Sequence, residues 1–358
     1  MRFVPINCIQ EGMILGKGLP GVSGLMLLNK GAVIQSSYVC KLKELGYVGL
    51  YIEDDLSNDI EVIDVISQNV RLKTIRTIKN TLIAVQKDKE LTEDSVDRIQ
   101  NLMNDIVDSI LVNRDAMINL IDLKVFDDYT YYHSVNVGVL AITLGVALNL
   151  SREKLYKLGL AAVLHDIGKV FISKNILNKP GKLTYEEFDI VKTHPQKGFE
   201  YLKKANLPLS SCKAVLQHHE RFNGQGYPMG AEGEKISLFS RIITIADVCD
   251  ALASNRPYRK ALTPTEIVEY VMSEYGSLFD PALVDVFIKR IAPYPVGTCV
   301  LLSNGMAGIV AENYPDSCLR PKVKIIKHGM KDIEPFFIDM KTDTKSYNIT
   351  ITGLAEAI

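Results

Sequence analysis

No run of roughly 18 uncharged apolar residues occurs in this chain, so no segment reads as a membrane-spanning helix. Charge of one sign is missing too: 41 Lys and Arg face 42 Asp and Glu, for a net charge of -1. No global basic field marks a nucleic-acid binder, although a local group of Arg and Lys could hold a small anion. Cysteine is sparse, with six residues at 8, 40, 212, 249, 299 and 318, and none forms a C-x-x-C pair. A chain of 358 residues has no need of disulfide staples, so reduced thiols in a cytoplasmic protein are expected. The opening stretch MRFVPINCIQEGM lacks a basic segment followed by an apolar run, so it does not read as a secretion signal.

Histidine is also scarce, at six residues, but five of them fall in one stretch. They are His133, His165, His194, His218 and His219, with Asp166 directly after His165 and Asp247 at a similar interval beyond. A single histidine on an apolar helix is ordinarily a satisfied core or surface residue. A cluster of imidazoles and carboxylates instead suits borderline metals such as Fe, Mn, Zn, Co or Ni. Adjacent residues on a helix point about 100° apart, so one ion would struggle to use both members of His165–Asp166 or of His218–His219. Two such pairs, with single ligands from three other segments, fit two metals better than one. Two metals can clamp a phosphate while a bridging hydroxide attacks in line.

The neighbouring residues suit a phosphate. Lys169 lies three residues after Asp166, and NRPYRK places Arg256, Arg259 and Lys260 after a segment carrying Asp247 and Asp250. Arginine forks recognise phosphate bidentately, although a solvated helix end has the same composition. Gly224 and Gly226 free the backbone beside the histidine pair, and Tyr227-Pro228 sets a turn that could wall a pocket.

Four parts follow from pattern. Residues 1–56 alternate β-formers with turn residues around one capped helix, SSYVCKLKELGY, giving a small α+β module. Residues 57–127 read as a helical linker. Apolar residues at 60, 63, 66, 70, 75, 78, 82 and 85 have helical spacing, which fits either a helix packed on a neighbour or a homodimer formed through 57–125. Residues 128–292 are helical by period and cap, with helices expected over 130–149, 152–165, 184–204, 210–221, 236–254, 264–275 and 281–291. Residues 293–358 read as a small β module, with strands before and after SNG and in PKVKIIKH and SYNITITGL. His328 lies there beside Lys327 and reads as a surface residue.

LHDIGK, HPQKG, HHERFNGQGYP and ADVCDALASNRPYRKA, in that order, closely resemble the HD-GYP domains, a bacterial subgroup of the HD phosphohydrolases. The likeness covers residues 128–292, nearly half the chain. It implies a mainly α, HD-type phosphohydrolase domain flanked by the two small modules. It also implies a metal-dependent phosphodiesterase that opens cyclic di-GMP to pGpG and in many cases on to GMP.

In the resemblance, His133, His165 and Asp247 hold one metal, and His194, His218 and His219 the other. Asp166 bridges them and Lys169 contacts the scissile phosphate, while Tyr227, Asp250, Arg256 and Arg259 help hold the substrate. Some members carry a glutamate four residues before the first histidine and admit a third metal. Here that position is Tyr129, and Asp128 is on the wrong face, so two divalent ions are expected. Iron or manganese is the expectation, with other transition metals open. Asn223 and Asn255 stand where many members have Asp, which alters tuning around the site without losing a ligand. Two other readings stay open: hydrolysis of another cyclic dinucleotide or nucleotide, and a module that binds cyclic di-GMP without turnover.

Overall fold

The computed structural model describes residues 1–21, 25–88, 91–123, 129–254 and 260–355. The N-terminal module contains β1 (Arg2–Pro5), β2 (Ile14–Leu15), β3 (Leu19–Pro20), β4 (Met26–Leu28), α1 (Ser36–Glu44) and β5 (Gly49–Glu53). Three strands form an antiparallel sheet in the order β1-β5-β2, and β3 pairs with β4. Helix α1 stops where Gly46 takes a φ of 80°, a left-handed conformation that costs glycine little. Leu15, Ile34, Leu42, Leu50 and Ile52 form the core of this module.

The helical body contains α2 (Gln68–Asp88), α3 (Glu93–Val112), α4 (Tyr129–Ala147), α5 (Arg152–Val163) and α6 (Lys174–Leu177). It continues with α7 (Tyr185–Val191), α8 (His194–Lys204), α9 (Leu209–Gln217), α10 (Leu238–Ala253), α11 (Pro264–Ser273) and α12 (Pro281–Ile288). Thr92, Ser151, Thr184, Ser237, Thr263 and Asp280 each cap a helix by accepting from a backbone N–H of its first turn. Helix α4 is buried on nearly all sides, whereas α3 buries one stripe, Ile99, Leu102, Met103, Ile106, Val107 and Ile110. Each such side chain stabilises by roughly 1.5–3 kcal/mol relative to exposure.

The helices of the expected linker belong to this same core. Ile75, Ile78 and Val85 of α2 and the α3 stripe pack with α4 and α5 in one cluster. The apolar spacing that raised a homodimer is accounted for inside a single chain, Ile63 excepted, which is exposed. Residues 58–67 are not helical; α2 begins only after Ser67, whose hydroxyl accepts from the Val70 N–H.

Two further expectations are corrected. The helix expected over 184–204 is broken into α7 and α8. Pro195 has no N–H, and its ring would meet the Val191 carbonyl if the helix ran on. Residues 331–339, not expected as a strand, form β9 (Lys331–Asp339) in a sheet with β6 (Cys299–Leu302), β7 (Met306–Glu312), β8 (Lys322–His328) and β10 (Ile351–Leu354). The order β10-β6-β7-β8-β9 puts β9 at an edge, where Pro335 removes no ladder bond that the sheet needs. His328 is exposed at the end of β8.

No helix among the described residues is long and apolar enough to cross a membrane.

Candidate metal centre

Seven side chains from five segments meet at one end of the helical body. His133 comes from the second turn of α4 and Asp247 from the middle of α10. The pairs His165–Asp166 and His218–His219 do not lie on helices as their spacing suggested; they sit just beyond the last turns of α5 and α9. His194 opens α8. Helix ends leave carbonyls without intrahelical partners, and three of the histidines use them. The Nδ1 atoms of His165, His194 and His218 lie 2.7 Å from the carbonyls of Ala162, Val191 and Val215, each three residues back. With Nδ1–H donating, each Nε2 lone pair points into the cluster. The break before Pro195 therefore has a use, since the Val191 carbonyl it exposes orients His194.

The side chains divide into two groups whose ligand atoms lie within 4.8 Å of one another: His133, His165 and Asp247, and Asp166, His194, His218 and His219. The two oxygens of Asp166 face different groups. Its Oδ2 is 3.4 Å from His165 Nε2 and 4.0 Å from His133 Nε2, while its Oδ1 is 3.3 Å from His194 Nε2 and 3.9 Å from His218 Nε2. On the first side, His133 Nε2 is 3.1 Å from Asp247 Oδ1.

The donors fit metal ions. His165 Nε2 and Asp166 Oδ1 are buried without a hydrogen-bond partner. An orphaned buried polar atom costs about 1–3 kcal/mol, which a coordinated cation would offset. An all imidazole and carboxylate set suits a borderline divalent ion, and the absence of thiolate disfavours a soft one.

Burial and charge pull the protonation states apart. Burial, then the neighbouring His219, hold His218 well below the usual imidazole range. Burial drives His219 down to about 3, leaving it neutral and able to ligate. Burial opposes charge on His133, but hydrogen bonds to Asp247 and Asp250 outweigh it and raise its pKa to about 10. Burial would also neutralise Asp166; Lys169 and His165 prevail and keep it ionised, well below the usual carboxylate range. Lys169 Nζ donates to Asp166 Oδ2 at 2.6 Å and is partly exposed at the mouth of the site.

The residues expected to hold substrate are placed differently from one another. Tyr227 stacks on His219, with ring centroids 4.8 Å apart and planes at 30°. Asp250 is not at the substrate face. Its carboxylate is fully buried behind the cluster, with Oδ2 accepting from His133 Nδ1 at 2.7 Å and Oδ1 from Asn136 Nδ2 at 2.8 Å. The α10 register explains this, because Asp247 and Asp250 are one turn apart and the deeper of the two meets His133 from behind. Arg256, Arg259, Asn255 and Asp128 lie outside the described residues, as does the Tyr129 side chain. Asn223 Oδ1 accepts from Gln225 N and opens the loop that carries Tyr227.

Sequence reading missed two supports. Asn136, one helical turn after His133 in a largely buried helix, holds Asp250. Glu220, following the histidine pair, is buried and accepts from the Met229 and Ala231 N–H groups, tying the loop to the ligands. A polar residue at i+3 of a candidate ligand was the available signal for Asn136. Nothing local distinguishes Glu220.

A carboxylate behind a ligating histidine raises its basicity and fixes its ring. Asp250→Asn is therefore expected to weaken metal retention about 10- to 100-fold, read by competition with a chelator. Unchanged retention would deny Asp250 this role.

The fold and site together define a helical domain of the HD type. A model of the HD domain matches residues 115–283. The chain is 42% identical over 229 residues to a cyclic di-GMP phosphodiesterase of Pseudomonas aeruginosa, PA4108, a match covering 63% of this chain and 54% of that one. It is 30% identical over 283 residues to the cyclic di-GMP phosphodiesterase response regulator RpfG of Xanthomonas campestris, covering 77% and 74%. A solved structure of Bd1817, an HDG"Y"P protein from Bdellovibrio bacteriovorus, shares the fold, with a TM-score of 0.51 at 17% identity over 80% of this chain and 97% of that one. The chain belongs to the HD domain family. It spans about half the length of the Pseudomonas relative.

Proposed function

We propose that the protein is a metal-dependent phosphodiesterase that hydrolyses cyclic di-GMP to pGpG, with further cleavage to GMP as a second step. The observation that carries this reading is Asp166, whose two oxygens face two separate groups of imidazole and carboxylate donors. His133, His165 and Asp247 would hold one divalent ion and His194, His218 and His219 the other, with Asp166 shared. Iron or manganese matches this donor set. Bound there, such a pair supplies a Lewis acid for the phosphate oxygens and a water made nucleophilic near neutral pH.

The chain's own residues do the rest. Lys169, beside Asp166 and partly exposed, is set to neutralise charge that develops on a non-bridging phosphate oxygen. Tyr227, stacked on His219, offers an aromatic wall at the mouth, with Phe188 edge-on to it at 6.4 Å. Glu220 holds that wall in place through its two backbone contacts. The expected result is two equivalents of iron or manganese in freshly purified protein, and turnover of cyclic di-GMP to pGpG by product chromatography. Turnover of a different nucleotide but not of cyclic di-GMP would change the substrate. Tight binding with no turnover in fully loaded, reduced protein would make it a signalling module instead.

A further inference from the structure

A cavity of about 340 Å3 lies between the N-terminal module and the helical body. That is within the usual range of small-molecule sites. Its walls are mostly apolar and aromatic, among them Leu19, Leu50, Leu72 and Tyr47, and Tyr132 of α4 also lines it. The wall formed by β3 and the residue on either side of it is held by three hydrogen bonds. Gln68 Nε2 donates to the Gly18 carbonyl at 2.6 Å, Tyr47 Oη to Pro20 at 2.6 Å, and Tyr132 Oη to Gly21 at 2.8 Å.

Three cations line it, Lys17, Lys41 and Arg71, and of these Lys41 is exposed. Lys17 is paired with Asp64. Arg71 of α2 is half-buried and has no carboxylate partner among the described residues; its Nη1 donates to Asn136 Oδ1 at 2.7 Å. Asn136 donates in turn to Asp250, and Asp250 accepts from His133. A continuous polar chain, Arg71–Asn136–Asp250–His133, thus joins the cavity to the candidate metal centre. Tyr132, directly before His133 in the same helix, joins them a second time.

We propose that this cavity is a regulatory site for a small amphipathic monoanion, its apolar body against the aromatic walls and its anionic head on the Arg71 guanidinium. A guanidinium has five donors in a fixed fork, so engaging a carboxylate on one side reorients the donor held by Asn136. The shift passes to Asp250, which fixes the His133 ring. Occupancy of the N-terminal module is in this way read at a metal ligand, with no large motion.

The test needs no nucleotide. Titrating 1-naphthaleneacetate into the full chain by calorimetry should give saturable binding at one site, and its uncharged analogue 2-(1-naphthyl)ethanol should bind at least about tenfold more weakly. Arg71→Gln should lose a similar factor for the acid while the alcohol is unaffected. Saturation with the acid should alter the rate of metal release to a chelator by about twofold or more in the wild-type protein, and leave it unaltered in Asn136→Ala, where the chain is cut. Equal binding of acid and alcohol, or wild-type affinity in Arg71→Gln, would overturn the anion site. Metal release indifferent to bound acid would overturn the link to His133. Absence of cyclic di-GMP turnover bears on none of these readouts.

Discussion

Asp166→Ala is expected to lower the proposed cyclic di-GMP turnover by at least about a thousandfold, since a carboxylate shared by two metals would both position them and set their combined charge. Its two oxygens lie 3.3–4.0 Å from four imidazole nitrogens, so no neighbouring group can replace it on both sides. Removing it also leaves Lys169 without its 2.6 Å partner and His165 facing a void. Asp166→Asn separates shape from charge. The amide fills the space but brings no negative charge, so metal content and turnover should both fall although the fold persists. Full activity of the alanine variant with metals replete would sink the mechanism. Fully retained metal in the asparagine variant would show that charge at this position is not what holds the ions.

Gly168→Ala is the second large effect. A Cβ there would lie 1.9 Å from the His194 carbonyl oxygen and 2.7 Å from the Gly198 nitrogen, both backbone atoms. Neither can rotate away, so the turn carrying Asp166 and Lys169 must move off the start of α8. Overpacking typically costs about 1–3 kcal/mol and more where backbone has to shift, so the loss belongs at or above the top of that range. Because the displaced turn holds Asp166 and the resisting helix holds His194, metal should be lost together with stability. Denaturant unfolding and metal analysis of one sample test both. Gly353→Ala, with open space around the added Cβ, is the control and should change stability by less than about 0.5 kcal/mol. A wild-type midpoint in Gly168→Ala would mean that the two segments pack more loosely than 1.9 Å implies.

Several elements were legible from local chemistry alone. Ser151 and Thr263 mark helix starts by their side chains, and the structure uses each as a cap. The 3.6-residue period of α3 and the turn at Gly305 are equally local. Errors arose where non-local packing decided. Strand β9 carries Pro335 and several charges and is a strand because β8 offers it an edge. Residues 114–123, part of the expected helical linker, give only a 3-10 turn at Leu120–Leu123, and Ile118 instead pairs with the segment at Ile291 across the chain.

The candidate site divides in the same way. Histidine scarcity, the adjacent pairs and the motif order were enough to select the residues, because ligand chemistry is a property of side-chain type. Their placement was not. Asp250 had read as a substrate contact and lies instead behind His133; which side of α10 is deep is set by where α4 crosses it. Glu220 joins the site only because the loop after it folds back to present two N–H groups.

By itself, then, the sequence determined the helical class, the capped boundaries, the small flanking modules and the residue types of the candidate site, all of which rest on interactions within a few residues. Only the tertiary structure decided that α2 and α3 belong to the main core, that the two oxygens of Asp166 face two donor groups, and that Arg71 is tied to His133 through Asn136 and Asp250. Each of these depends on residues far apart in the chain whose distances are set by packing, and no local pattern carries that information.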